Sequence, residues 1–171
     1  SSKAVWFEGT TKISCNINDV EKSLNNLGEH FKEISSIMPG MTSVKLIEQG
    51  SDFVTIETNE GIMKRTNISI VSNKDKIIVE FDEEYQAGKT ITTNSHFVKE
   101  FEEKNNEIRL RVEISNLKAP GFMGFFYRNF GSKNIGNSFL NAYENYLGKQ
   151  SSWMNSELHQ MYEKIAETVV E

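Results

Sequence analysis

The chain contains one cysteine, Cys15, and two prolines, Pro39 and Pro120, among its 171 residues. A single cysteine excludes an internal disulfide framework and is typical of proteins from a reducing compartment. Two isolated prolines provide no proline-rich linker between domains. The chain is long enough for one domain with a substantial core and too short for two comfortable ones.

Long apolar runs and clustered positive charge are also missing. No stretch of about 18 apolar residues could span a bilayer, and residues 1–3 lead into a strand pattern rather than a signal peptide. The formal net charge is -5, whereas general binding to nucleic acid requires a clustered positive field. We therefore expect a cytoplasmic protein that binds no nucleic acid and does not insert stably into a membrane.

Motifs for catalysis or metal binding are not found in the sequence. The three histidines, His30, His96 and His159, have no partners at ligand spacing, and no glycine-rich phosphate loop or nucleophile elbow is present. The acidic residues 80–84 and 100–103 lack the order of a calcium loop and are typical of a solvated sheet surface. We expect no metal and no cofactor, no catalytic residue is identified, and His96 is interpreted as a solvent-facing or edge residue.

Alternation of apolar and polar residues dominates the first two thirds of the chain. Alternation predicts a strand at 4–15. Apolar residues then recur at helical spacing up to Pro39-Gly40, which predicts two short helices. From residue 41 the period changes to two, and turn signals divide the segment into six strands. These are expected near 43–48, 53–58, 62–71, 76–85, 89–102 and 107–117, as an antiparallel meander with one dry face.

A long helix is predicted at 121–147, after the Pro120-Gly121 break. It is rich in aromatic residues yet carries Gly124, Gly131 and Gly136, each of which costs roughly 1 kcal/mol relative to alanine in a helix interior. The glycines either let the helix pass close to the sheet or leave room for a ligand. Because Gly131 and Gly136 lie some 140° apart around a helix, they do not face one pocket, and Gly131-Ser132 is a candidate kink.

A further amphipathic helix is predicted at 152–170. The sequence therefore divides into a domain at 1–149 and a C-terminal helical extension at 150–171. The extension either docks on the domain or on a neighbouring subunit, or it frays as a tail. A homo-oligomer formed through this extension is one expectation.

The order of elements resembles the helix-grip superfamily, also named START-like or SRPBCC, which includes polyketide cyclase/dehydrase and lipid-transport proteins. The local similarity lies in "FKEISSIMPG" at 31–40, followed by "TSVKLIEQG", and in the Pro-Gly entry to the final helix. Many members carry a Trp before the first Pro-Gly turn, where this chain has Ser36-Ile37-Met38. The resemblance implies an α+β fold in which a seven-stranded curved antiparallel sheet wraps around a long C-terminal helix, with a short helical pair between strands 1 and 2.

A cavity between sheet and final helix is a further implication of the resemblance, and it commonly receives lipids, sterols or polyketides. Polar groups in the inward phase would orient such a ligand within an apolar wall. Each of these polar residues also has a simpler role as a core group bonded to backbone. The predicted ligand-binding residues are Thr58, Thr66, Tyr85, Thr93, Ser95, Phe97, Phe126, Phe130, Asn137, Leu140 and Tyr143.

Three classes of function agree with these observations. The first is binding or transport of a small hydrophobic or amphipathic ligand, lipid-like or polyketide-like. The second is a cyclase- or dehydratase-type enzyme on a polyketide-like substrate, with Tyr85, Tyr143 or His96 as proton donor. The third is a protein-interaction module related to Hsp90 ATPase activators. The binding protein is preferred because the family supplies no universal catalytic motif.

Overall fold

Seven antiparallel strands form one sheet in the computed structural model, in the order β1-β7-β6-β5-β4-β3-β2. The structure describes residues 3–89, 91–121, 124, 128–129 and 131–170, without the side chains of 149–158 and 170. In chain order the elements are β1 (Val5–Ile13), α1 (Ile17–Leu24), α2 (Leu27–Ile37), β2 (Val44–Gln49), β3 (Val54–Thr58), β4 (Gly61–Ser72), β5 (Lys76–Ala87), β6 (Ile91–Lys104), β7 (Glu107–Lys118) and α3 (Ser132–Val170). This arrangement confirms the predicted helix-grip α+β fold.

The two short helices separate at Asn25-Asn26, just before Gly28. Asn16 caps α1 in a reciprocal capping box with Asp19, and the Asn26 side chain accepts a hydrogen bond from the Glu29 amide at the start of α2. A cap satisfies an amide that has no partner within the helix. The helical pair is therefore divided by a cap.

Alternation along the strands places one set of side chains in a core between the sheet and the helices. On β5 the buried residues are Ile77, Val79, Phe81 and Glu83, and the residues between them are more exposed. Strand β4 changes phase because its pairing with β5 shifts between Thr66 and Ser69, where Asn67 has a φ of 53°. Such a bulge reverses the face to which following residues point.

Helix α3 is continuous from Ser132 to Val170, where the sequence predicted separate helices at 121–147 and 152–170. Gly131 is not helical and directly precedes Ser132, the first residue of α3, so the helix starts at the candidate kink. Side chains of the first half, including Leu140 and Leu147, are buried, whereas those of 159–169 are exposed. Residues 159–169 therefore do not dock on the domain, and no helical break marks the predicted boundary at 149/150. None of the helices in the described part of the chain is long and apolar enough to cross a membrane.

Candidate ligand-binding cavity

A cavity of about 400 Å³ lies between the inner face of the sheet, the end of α2 and the first half of α3. Its volume falls in the range of small-molecule sites, roughly 300–1,000 Å³. Most of its wall is apolar, and three methionines contribute flexible thioether side chains that adapt to irregular shapes. The apolar lining residues are Trp6, Met38, Pro39, Met41, Met63, Ala87, Ile91, Phe97, Ile114, Leu117, Ile135 and Phe139.

Polar groups on the wall come mainly from β5 and β6. Tyr85, Thr93 and Ser95 line the cavity, and the Tyr85 hydroxyl lies 2.9 Å from Thr58 Oγ1 and donates to Glu60 Oε2 at 3.2 Å. Burial and the carboxylates of Glu60 and Glu83 together raise the pKa of Tyr85 to about 12, although the hydrogen bond with Thr58 opposes them. The phenol is therefore neutral and acts as a hydrogen-bond donor.

Four of the predicted ligand-binding residues line this cavity, namely Tyr85, Thr93, Ser95 and Phe97. Thr58 is buried and contacts the Tyr85 hydroxyl. Leu140 and Tyr143 are buried but do not line the cavity. Phe126 and Phe130 lie outside the described residues. The remaining two, Thr66 and Asn137, are placed elsewhere.

Thr66 and Asn137 are exposed, contrary to their predicted inward orientation. Thr66 directly precedes the β4 bulge, so it lies out of phase with the inward-facing Ile68, although the uninterrupted alternation put both on one face. Asn137 was placed on one stripe of a helix that began at residue 121. The helix that carries Asn137 begins at Ser132, so the faces of its residues cannot be counted from residue 121.

Three charged residues in the core were not predicted: Arg65, Glu83 and Lys99. They are 0%, 8% and 0% exposed, although the acids at 80–84 had been assigned to a solvated surface. The period-two pattern itself could have identified them, since Glu83 follows Val79 and Phe81 in phase. Lys99 lies in the same way between Phe97 and Phe101. Charged residues are rarely buried without a partner, so residue type alone predicts exposure at these positions.

Arg65 and Glu83 form a buried ion pair across β4 and β5. The Arg65 Nε donates to Glu83 Oε2 at 3.0 Å and Nη2 lies 2.9 Å from the same oxygen. The guanidinium lies 4.7 and 4.9 Å from the ring centres of Phe31 and Phe81. Its Nη1 has no hydrogen-bond partner within the described structure. Glu83 also lines the cavity, so the pair borders the candidate site.

Lys99 extends from β6 into a group of aromatic rings. Its Nζ donates to the Tyr143 hydroxyl at 3.0 Å, and it forms no ion pair with any carboxylate of the described residues. Burial, followed by the positive charge of Arg65, holds the pKa of Lys99 well below its usual range. The nearby rings are those of Phe31, Phe81, Phe97, Phe139 and Tyr143, with centres 4.7 to 5.7 Å from Nζ.

A chain of hydrogen bonds runs from Lys99 towards the surface. His30 Nε2 lies 2.8 Å from the Tyr143 hydroxyl, and His30 Nδ1 lies 2.7 Å from Ser23 Oγ, which is 3.4 Å from the Tyr146 hydroxyl. Burial lowers the pKa of His30, as do Lys99 and Arg65. With His30 neutral, Tyr143 donates to Nε2 and the proton on Nδ1 is donated to Ser23. Every bond in the chain then has a donor and an acceptor.

His96 lies on the opposite face of the sheet. Its Nδ1 is 2.8 Å from Asp82 Oδ1 and its Nε2 is 2.5 Å from Glu80 Oε2. Partial burial lowers the pKa of His96, but the hydrogen bonds and charges of the two carboxylates outweigh this effect and raise it. This position excludes His96 as a proton donor inside the cavity. Within the described part of the chain, no cluster of three or more His, Cys, Asp or Glu side chains is arranged to hold a metal ion.

Comparisons in sequence identify no relative, because neither a family model nor a curated protein matches the chain. Solved structures do match. A STAR-related lipid transfer protein from Xanthomonas axonopodis has a TM-score of 0.54 and 11% identity, with 82% of this chain and 84% of that one covered. Norcoclaurine synthase from Thalictrum flavum has a TM-score of 0.51 and 11% identity, with 88% and 87% covered.

The di-domain ARO/CYC protein StfQ from the steffimycin biosynthetic pathway also matches. Its TM-score is 0.50 and its identity 12%, with 85% of this chain and 51% of StfQ covered. Identities this low establish a shared fold and no shared activity. Together with the strand order and the final helix, these matches show that the chain has the helix-grip fold of the START-like proteins.

Proposed function

We propose that the protein binds a small apolar or amphipathic molecule in the cavity between the sheet and α3. The observation that carries this proposal is a space of about 400 Å³ whose wall is mostly apolar and includes a few hydroxyl groups. Burial of apolar ligand surface supplies the affinity, at roughly 25 cal/mol per Å². Transfer of lipid by one protein of this fold supports the same class of ligand.

Orientation of the ligand is the proposed role of the hydroxyl groups on β5 and β6. The Ser95 side chain is 9% exposed and makes no hydrogen bond within the described structure, so its hydroxyl is free to bond a ligand. Thr93 Oγ1 makes only a 3.5 Å contact to the Tyr85 carbonyl. A few such groups in an apolar wall fix the orientation of a ligand and contribute little of its affinity.

A series of primary alcohols tests this proposal, with binding measured by calorimetry. From 1-hexanol to 1-octanol, we expect the affinity to rise roughly fourfold with each methylene, which corresponds to about 0.8 kcal/mol. We also expect a negative heat-capacity change, because apolar surface is buried. Affinity that does not depend on chain length, or no binding at all, contradicts the proposal.

Two tryptophan substitutions on α3 test whether the alcohol binds in the cavity. Ile135 lines the cavity, so Ile135→Trp should fill part of it and weaken 1-octanol binding at least tenfold. Lys133 is exposed on the same helix, so Lys133→Trp should leave the affinity within about twofold of the wild type. Equal effects of the two substitutions would place the alcohol outside the cavity.

A further inference from the structure

Lys99 lies directly behind the cavity wall. The rings of Phe97 and Phe139 both line the cavity, and their centres are 5.7 and 5.2 Å from Lys99 Nζ. The amine is therefore separated from the cavity by about the thickness of one aromatic ring. Contact between a bound molecule and Nζ therefore requires one of these two rings to move.

The charges around Lys99 favour an uncharged amine. Among the buried charged residues Arg65, Glu83 and Lys99, the one carboxylate is that of Glu83. Its Oε2 is held by Arg65 through both Nε and Nη2. With the Arg65–Glu83 pair already neutral, a proton on Lys99 would add an unbalanced positive charge in a site that is 0% exposed. A desolvated lysine beside another cation is the usual form of an activated amine nucleophile.

We infer that Lys99 is a nucleophile that forms a Schiff base with the carbonyl group of an apolar aldehyde or ketone held in the cavity. This inference rests on the proposed function, since the carbonyl compound must first occupy the cavity. It narrows the ligand from any apolar molecule to one with a reactive carbonyl group.

The reaction balances without an additional reactant. The Nζ lone pair attacks the carbonyl carbon, and the C=O π electrons move to oxygen as the C–N bond forms. Transfer of a proton from nitrogen to oxygen gives the carbinolamine. Its hydroxyl group then takes up the remaining N–H proton and leaves as water, while the nitrogen electron pair forms the C=N bond. The chain from Tyr143 through His30 and Ser23 to Tyr146 provides a path by which a proton can move between the amine and the surface.

The experiment incubates the full chain with octanal and sodium cyanoborohydride at pH 7. The reductant delivers hydride to the carbon of the C=N bond and leaves a stable octyl amine, which peptide mass spectrometry locates. We expect Lys99 to be the main labelled residue, and excess 1-octanol, which fills the cavity without reacting, to suppress this label. Labels on exposed lysines such as Lys64 and Lys118 should not respond to the alcohol.

The pH profile separates Lys99 from the exposed lysines. Because burial and Arg65 hold the pKa of Lys99 well below its usual range, its labelling rate should rise less steeply between pH 7 and 9 than that of an ordinary amine, when the reductant is in excess and attack on the carbonyl limits the rate. An unperturbed lysine amine, with a pKa near 10.4, gains about tenfold in its reactive neutral form for each pH unit over this range, and this is the slope for comparison. The substitution Tyr143→Phe should slow labelling of Lys99 while the affinity for 1-octanol stays within about threefold.

The outcomes distinguish this inference from the proposed function. If 1-octanol binds but octanal leaves Lys99 unlabelled, the Schiff base is excluded and the binding function stands. If neither molecule binds, the proposed function fails and the inference fails with it. Lys99→Met and Lys99→Arg should both abolish the cavity-dependent label. The mapped label in the wild type decides the question even where either variant fails to fold.

Discussion

The ring of Phe7 on β1 occupies the space in which a side chain at Gly136 of α3 would lie. A Cβ atom at residue 136 would be 1.8 Å from Phe7 Cδ1, far inside van der Waals contact. Gly136 therefore allows the helix to pass close to the sheet, which is one of the two roles that the sequence left open. The other role, room for a ligand, does not apply at this position because Phe7 fills the space.

Gly136→Ala should lower the free energy of unfolding by about 1–3 kcal/mol, the usual cost of overpacking. Gly148 is the matched control, because it lies in the same helix and a Cβ atom there meets nothing within 4 Å. Gly148→Ala should raise stability by about 0.4–1 kcal/mol through helix propensity and unfolded-state entropy. Urea denaturation measures both. Equal effects would show that the contact with Phe7 does not matter.

Glu83→Gln should destabilise the fold by about 3 kcal/mol or more. The substitution leaves the Arg65 guanidinium buried without a counter-charge, and loss of one partner of a buried pair typically costs about 3–5 kcal/mol. Glu84→Gln is the control on the adjacent, exposed position and should cost less than about 0.5 kcal/mol. Thermal and urea denaturation give the comparison.

The double variant Arg65→Met with Glu83→Gln tests the reason for this cost. Removal of both charges eliminates the unpaired guanidinium, so the double variant should be more stable than Glu83→Gln alone. A double variant as unstable as the sum of its single substitutions would mean that the residues act through packing. The ion pair would then contribute little to the fold.

His96 should make stability depend on pH. Its pKa is raised in the folded protein by Asp82 and Glu80, so its contribution is complete below the unfolded pKa of about 6.5 and is lost as pH rises through the folded pKa. Between pH 6 and 8.5, the free energy of unfolding of the wild type should therefore fall by up to about 1 kcal/mol relative to that of His96→Gln. Denaturation of both proteins at a series of pH values measures this difference. A pH-independent difference would contradict the stabilising role of the imidazolium.

The fold could be predicted from the sequence because it depends on local patterns, which can be recognised without knowing any tertiary contact. Alternation located the seven strands, and Pro39-Gly40 and Pro120 marked the ends of segments. The site was predicted less completely. Tyr85 and Ser95 were located by phase alone, whereas the bulge beside Thr66 depends on the pairing of β4 with β5.

The charged residues of the core are the largest part of the structure that the sequence did not predict. Lys99 and Glu83 are stabilised by partners from distant parts of the chain: Tyr143 for the amine and Arg65 for the carboxylate. A single sequence gives the phase of each strand but not the partner that makes burial of a charge tolerable. Period-two phase is therefore a better guide to burial in this chain than residue type.

Truncation after Leu158 tests whether the end of α3 mediates self-association or is a tail without contacts. Side chains at 159–169 are exposed, including Met161, Tyr162, Ile165 and Val169, so their removal takes no described contact from the core. We expect the melting temperature to change by less than about 2 °C, since exposed residues contribute little to stability. Self-association through this extension is one expectation from the sequence, and it predicts that sedimentation velocity will show a smaller assembly for the truncated chain than for the full chain. An unchanged assembly would exclude residues 159–171 as the contact, and a large loss of stability in a monomer would show that they support the domain itself.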